Sequence, residues 1–237
     1  MECYNPDLHH RHSIRLKGYD YSKTGAYFLT ICTKNRECLF GEIVKEGMVL
    51  NDAGRMVERW WLEVPKKFSL VETDEHVIMP NHIHGIIIIA VGATLRGRPD
   101  EWGGLHTKKG THIGEGNHIG LPLRVTKKTG WRKDKPTLGE IMDWFKTMTT
   151  NEYIRGVKES HWSPFNGTLW QRNYYERIVR SEEELNRFRE YIQNNPMQWE
   201  MDEENPERNS VKNASGMLPT KPSLAKRLLR ERRSKFK

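Results

Sequence analysis

His82 and His84 stand one residue apart in the run Met79-Pro80-Asn81-His82-Ile83-His84-Gly85-Ile86. On an extended chain alternate side chains share a face, so both imidazoles point one way and Ile83 points into the opposite layer. Two imidazoles on one face can chelate a divalent metal ion. A short His-x-His pattern also occurs as two surface histidines on a sheet. A hydrolytic zinc site would need a third protein ligand, and no His or Asp follows at close spacing.

Farther along, Glu182 to Pro196 has the pattern of an amphipathic helix in which Leu185, Phe188 and Ile192 share a buried face. Tyr191 and Asn195 are i, i+4 neighbours along one border of that face, so a phenol and an amide are presented side by side. The same spacing suits a tyrosine that simply fills a half-buried edge. A third group of interest is Arg172, Asn173, Tyr174, Tyr175 and Arg177, where aromatic rings alternate with guanidinium groups. Such a mixture suits stacking of unpaired bases and contact with phosphates, although on a strand half of these side chains face the core.

The elements that must position these groups follow from periodicity. A strand is expected from Ala26 to Thr33, rich in aromatic and β-branched residues. Asp52 reads as the N-cap of a helix carrying Met56, Val57, Trp60 and Trp61, which closes near Pro65. Strands are expected from Ser69 to Met79 and from His82 to Ala90, joined by a turn at Pro80-Asn81. Thr137 and Glu140 form a capping box ahead of Leu138, Ile141, Trp144, Phe145 and Met148 on one helical face. A fourth strand from Tyr174 to Val179 and a helix capped by Ser181 and Glu184 complete the order β, α, β, β, α, β, α. Helices able to cover one face of a mainly antiparallel sheet imply an α+β sandwich of ferredoxin-like type.

The core is expected to span 21–90 and 136–200, after an N-terminal arm at 1–20. Residues 91–135 lose apolar periodicity and read as a flexible basic insertion, whose His106, His112 and His118 sit among glycines and look incidental. Residues 201–237 form a basic tail without periodic order, in which Lys226, Arg227 and Arg230 are candidates for phosphate contact.

The chain has 237 residues, a formal charge of +8 and 36% hydrophobic residues, with a pI near 9.3. This charge favours a polyanionic partner without identifying it. No apolar run approaches the roughly 20 residues of a membrane span, so no membrane association is expected. The absence of a secretory pattern at the N-terminus, and three cysteines with neither disulfide nor CxxC spacing, suit the cytoplasm.

Taken jointly, four motifs are far more specific than any one. Gly25-Ala26-Tyr27-Phe28-Leu29-Thr30, Met79-Pro80-Asn81-His82-Ile83-His84, Leu169-Trp170-Gln171-Arg172-Asn173-Tyr174-Tyr175-Glu176 and Tyr191-Ile192-Gln193-Asn194-Asn195-Pro196 occur in this order. The set resembles the REP-associated tyrosine transposases, relatives of the insertion-sequence-200-like transposases in the HUH endonuclease superfamily. The resemblance covers roughly residues 12 to 200 apart from the insertion. It implies that His82 and His84 bind a divalent cation, Mg²⁺ or Mn²⁺, that Tyr191 is the nucleophile, and that Asn195 is the third ligand. Relatives commonly carry Gln at that last position; an amide oxygen suits a hard cation in either case.

The resemblance further implies a metal-dependent single-strand DNA endonuclease and strand transferase that acts on hairpin-forming repeats through a 5′-phosphotyrosine. A homodimer, with Tyr191 acting in cis or in trans, is among the arrangements it implies. Two other classes compete: a DNA-binding repressor descended from such an enzyme, which would need neither His82, His84 nor Tyr191, and a zinc hydrolase, which would form no covalent adduct.

Overall fold

The computed structural model describes residues 18–90 and 136–208. The 1–17 part of the expected arm, the insertion at 91–135 and the tail cations Lys226, Arg227 and Arg230 lie outside the described residues, as do His106, His112 and His118.

The strand with the densest aromatic and β-branched content, β1 (Gly25–Cys32), is buried along nearly its whole length. It occupies an inner position of a four-stranded sheet ordered β4-β5-β1-β6, with β4 at Val71–Met79, β5 at His82–Ile89 and β6 at Tyr175–Val179. All three pairings are antiparallel. With helix α1 (Asp52–Lys67) between β1 and β4, and helix α2 (Leu138–Glu159) between β5 and β6, the chain follows the βαββαβ order of a ferredoxin-like fold. The α+β sandwich expected from periodicity is therefore observed.

The pleat of the inner strands divides the core. Tyr27, Leu29 and Ile31 of β1 and Ile83, Ile87 and Ile89 of β5 face α1 and α2. Ala26, Phe28 and Ile86 face a third helix, α3 (Glu182–Asn194), through Leu185, Phe188, Tyr191 and Ile192. Helices thus cover both faces, α1 and α2 on one and α3 on the other. This second cover buries the alternate residues of β5, which accounts for the nearly continuous isoleucine run.

Two local readings are corrected. The N-cap of α1 is Asn51 rather than Asp52: its side chain accepts from Gly54 N at 2.9 Å, and its Nδ2 donates to Leu39 O at 3.0 Å. An additional hairpin, β2 (Gly41–Val44) and β3 (Gly47–Leu50), lies between β1 and α1. Its turn places Lys45 at φ 48° and Glu46 at φ 64°. Positive φ at both central residues is the demand of a type I′ turn, usually met by Asn-Gly, so Lys-Glu carries no turn signal in sequence.

The capping box of α2 is present as expected, with Glu140 N donating to Thr137 Oγ1 at 3.2 Å and Thr137 N to Glu140 Oε2 at 2.8 Å. Among the described residues, no helix is long and apolar enough to cross a membrane.

Gly85 leaves room for the Trp61 ring of α1 against the sheet. A Cβ there would stand 2.8 Å from Trp61 Cη2, and Trp61 is fully buried. Gly85→Ala must displace the indole and with it α1, so it should cost about 1–3 kcal/mol of stability. Trp61→Leu in the same chain should recover part of that loss. Urea denaturation of the single and double variants checks this; additive losses would mean that the indole does not set the spacing.

Candidate active site

The site forms where the first residues of β5 pass beneath the C-terminal turn of α3. A two-residue turn, Pro80-Asn81, joins Met79 to its register partner His82. Pro80 O accepts from Leu39 N at 2.8 Å and Phe40 N at 3.0 Å, while Asn81 O accepts from Thr33 N at 2.8 Å. With the turn held this way, β5 starts in fixed register and projects His82 and His84 to the α3 face. Their Nε2 atoms stand 3.0 Å apart and the rings are edge-on.

Helix α3 is tied to both edges of the sheet. Arg177 on β6 donates from Nε to Glu184 Oε1 at 2.7 Å. At the opposite edge, Arg189 donates from Nε (3.0 Å) and Nη2 (2.6 Å) to Asp74 Oδ2. Asp74 sits where the β4–β5 register shifts between Thr73 and His76, a bulge that re-aims its side chain. Between these ties Phe188 stacks on Phe28 with centroids 4.3 Å apart. The helix can then rotate little, and Tyr191 lands with its hydroxyl 3.3 Å from His84 Nε2.

Asn195, one turn later, is 1% exposed. Its Nδ2 donates to Asp202 Oδ2 at 3.3 Å, which leaves Oδ1 as a buried oxygen that meets no hydrogen-bond donor. The amide also makes polar contact with His82 and with Tyr191. Asp202 is held in turn by Glu204 N, which donates to its Oδ1 at 2.7 Å. Ligand atoms of His82, His84 and Asp202 all lie within 4.8 Å of one another, and all three residues are buried. Two facing imidazole nitrogens, a carboxylate and an orphaned amide oxygen form an N/O donor set that fits a divalent cation.

The electrostatics agree. Burial pushes His82 down to about 3, with Arg36 adding to the effect, and pushes His84 to about 3 with the neighbouring His82 adding. Both rings are therefore neutral near pH 7, the form that coordinates metal. Burial raises the Tyr191 phenol well above its ordinary value, Asp202 raises it further, and the Asn195 contact opposes them. The phenol is protonated unless positive charge is placed nearby.

His82, His84, Tyr191 and Asn195 are thus brought together. The cluster also contains Asp202, and around it stand Thr30, whose Oγ1 is 2.9 Å from His84 Nδ1, and Asn81. These three escaped the sequence reading. Thr30 could have been found from the β1–β5 register; Asp202 lies beyond the last periodic residue, where only the nearby Trp199 marks a packed segment. Trp199 lies 6.1 Å from His82, ring centroid to ring centroid.

The candidate DNA-contact residues divide. Arg172 and Asn173 are exposed and, with Lys34, Asn35, Arg36 and Gln171, line an open cleft of about 470 Å³. Thr33 bridges Trp170, so this cleft adjoins the end of the sheet that carries His82. Tyr175 is exposed on β6, whereas Tyr174 is buried in the α1/α2 core with Lys146 Nζ 5.2 Å from its ring. Arg177 is engaged by Glu184.

The two buried histidines couple stability to pH. Unfolded, each binds a proton near pH 6.5; folded, each resists protonation until about 3. The unfolded state therefore binds more protons throughout that window, and stability falls as pH drops through it. Urea denaturation of metal-stripped protein at about pH 7 and about pH 5 should show the loss, with a shallower slope in His84→Gln. An unchanged slope in that variant would show that His84 is not buried as a neutral ring.

No family model matches the chain. An uncharacterized protein of Haemophilus influenzae strain Rd is 41% identical over 203 residues, which is 84% of this chain and 96% of that protein. Among solved structures, a REP-associated tyrosine transposase bound to a REP hairpin is similar with a TM-score of 0.45 and 14% identity, over 90% of this chain and 96% of that one. The chain belongs to one family with the Haemophilus influenzae protein.

Proposed function

We propose that the chain is a divalent-cation-dependent endonuclease and strand transferase for single-stranded DNA, of the REP-associated tyrosine transposase type, with hairpin-forming repeats as substrate. The observation that carries this reading is the Tyr191 hydroxyl 3.3 Å from a nitrogen of the buried His82–His84 pair. A phenol beside a metal-type donor set suits a nucleophile, and a purely structural tyrosine needs no such neighbour.

His82 and His84, with Asn195 Oδ1 and Asp202, would hold the ion, Mg²⁺ or Mn²⁺. When bound, such a cation withdraws charge from a non-bridging oxygen of the scissile phosphodiester and favours in-line displacement. The Tyr191 oxygen attacks phosphorus, a P–O bond to the phenol forms, and the bond to the 3′-oxygen of the preceding nucleotide breaks. The phenolic proton passes to solvent and the leaving 3′-oxygen takes one from it, so the step is proton-neutral. Attack by a 3′-hydroxyl on the phosphotyrosine reverses these changes and joins strands without ATP. The aromatic ring of Phe28, edge-on to Tyr191 with centroids 5.9 Å apart, keeps the phenol aimed at the pair.

Lys34, Arg36 and Arg172 around the open cleft are suited to the phosphates of the strand leading to the site. Tyr175 is the exposed ring available to stack a base, and the tail cations Lys226, Arg227 and Arg230 would add sequence-independent affinity.

Incubation with labelled single-stranded hairpin DNA and Mn²⁺ or Mg²⁺ should give a denaturation-resistant adduct whose 5′-phosphate maps by mass spectrometry to Tyr191. Tyr191→Phe should lower adduct formation by at least on the order of 1,000-fold while leaving hairpin binding intact. Tyr175→Phe should keep the adduct, and His82→Ala or His84→Ala should lose it yet retain most DNA affinity. An adduct on another tyrosine, or one persisting in Tyr191→Phe, overturns the assignment.

A further inference from the structure

Asn81 is fully buried beside His82 and is not itself placed to touch a substrate. We propose that Asn81 is a positioning residue that fixes His82 as the Nδ1–H tautomer, so that His82 always offers its bare Nε2 to the site while His84 must change tautomer when a cation enters. The inference rests on the reading of the His pair as a cation site.

Hydrogen-bond logic supports it. The Asn81 Nδ2 donates to Arg36 O at 3.0 Å and to Glu204 O at 2.7 Å. Both partners are carbonyls, which only accept, so a flipped amide would set an oxygen against two others. The Oδ1 is thereby directed at His82 Nδ1, 2.8 Å away. An amide oxygen only accepts, so the proton sits on Nδ1. In a neutral ring that leaves Nε2 with a free lone pair. The Arg36–Glu204 ion pair, 2.9 Å between Nε and Oε2, fastens the two carbonyl-bearing segments to each other around Asn81.

His84 is held differently. Its Nδ1 meets the Thr30 hydroxyl at 2.9 Å, and a hydroxyl can donate or accept. With His82 Nε2 bare, the 3.0 Å approach of the two Nε2 atoms needs a proton between them, and only His84 can supply it. Without a cation His84 is therefore Nε2–H, and Thr30 donates to its Nδ1. With a cation, both Nε2 atoms must present lone pairs. The His84 proton then moves to Nδ1 and Thr30 turns to accept it, with no change in the ring's net protonation. One ligand is preset by an amide that cannot turn, and the other switches on a hydroxyl that can.

Long-range ¹H–¹⁵N correlation spectra of the imidazoles read this directly in the full chain. In metal-stripped protein His82 should be Nδ1–H and His84 Nε2–H; Mg²⁺ should move His84 to Nδ1–H and leave His82 as it was. Asn81→Ala should lose the single His82 tautomer and weaken Mn²⁺ binding, followed by electron paramagnetic resonance, by roughly 10–100-fold. Should that variant not fold, Asn81→Asp retains an acceptor for Nδ1 while losing both donors, so His82 should remain Nδ1–H in the same spectra, and His82 found as Nε2–H in Asn81→Asp overturns the proposal. Wild-type His82 found as Nε2–H, or His84 unmoved by Mg²⁺, overturns the proposal. Either result with a normal DNA adduct leaves the nuclease reading standing, and the expected spectra without any adduct would overturn that reading alone.

Discussion

Two imidazole nitrogens held 3.0 Å apart behind a wall of protein cannot both keep a lone pair toward the gap unless something positive lies between them. Water is not available to screen them, since His82 is fully buried and His84 nearly so. Most of the surrounding architecture answers to this constraint. The second nitrogen of each ring has its own polar partner, Asn81 or Thr30, and the amide and carboxylate opposite are engaged with each other. A cluster in which polar atoms are this closely paired is rigid, because losing any member leaves another uncompensated in a low-dielectric interior.

Rigidity there would be of little use if the tyrosine wandered. Helix α3 has a modest apolar contact, so its orientation depends on directional anchors at its two sides. The Arg177–Glu184 and Arg189–Asp74 pairs are largely withdrawn from solvent, with side-chain exposures of 14%/13% and 20%/14%. Pairs in such settings add little net stability, since desolvation offsets much of the attraction, but they penalise any rotation that separates them. Their role is to select one orientation of the helix. From the reverse side of the sheet, Trp61 pressed on Gly85 keeps β5 from shifting beneath it.

Much of this was legible in sequence. The alternation in His82-Ile83-His84 carried both the strand and the shared face, and the capping signals at Thr137 and Ser181 gave the starts of α2 and α3 because an N-cap is a local hydrogen bond. The i, i+4 relation of Tyr191 and Asn195 placed them on one border. Relations between segments distant in the chain were not legible. Asp202 joins the site through an amide on another element, and Arg177 reads as a free cation until Glu184 is seen against it. The β2–β3 hairpin escaped because Lys45 and Glu46 adopt a backbone that their side chains do not advertise.

The strand β5 begins at the histidine pair and ends at Ile89, about 24 Å away at strand rise. There the chain leaves the sheet, with Ala90 N bonded to Leu70 O, and it re-enters with Leu138 N bonded to Tyr21 O. Both points of attachment are at the pole remote from the chemistry, and each is closed by its own backbone hydrogen bond. The register of β5 and the seating of α3 are thus set by contacts that do not pass through this junction, namely the Pro80-Asn81 turn and the two Arg–carboxylate ties of the helix.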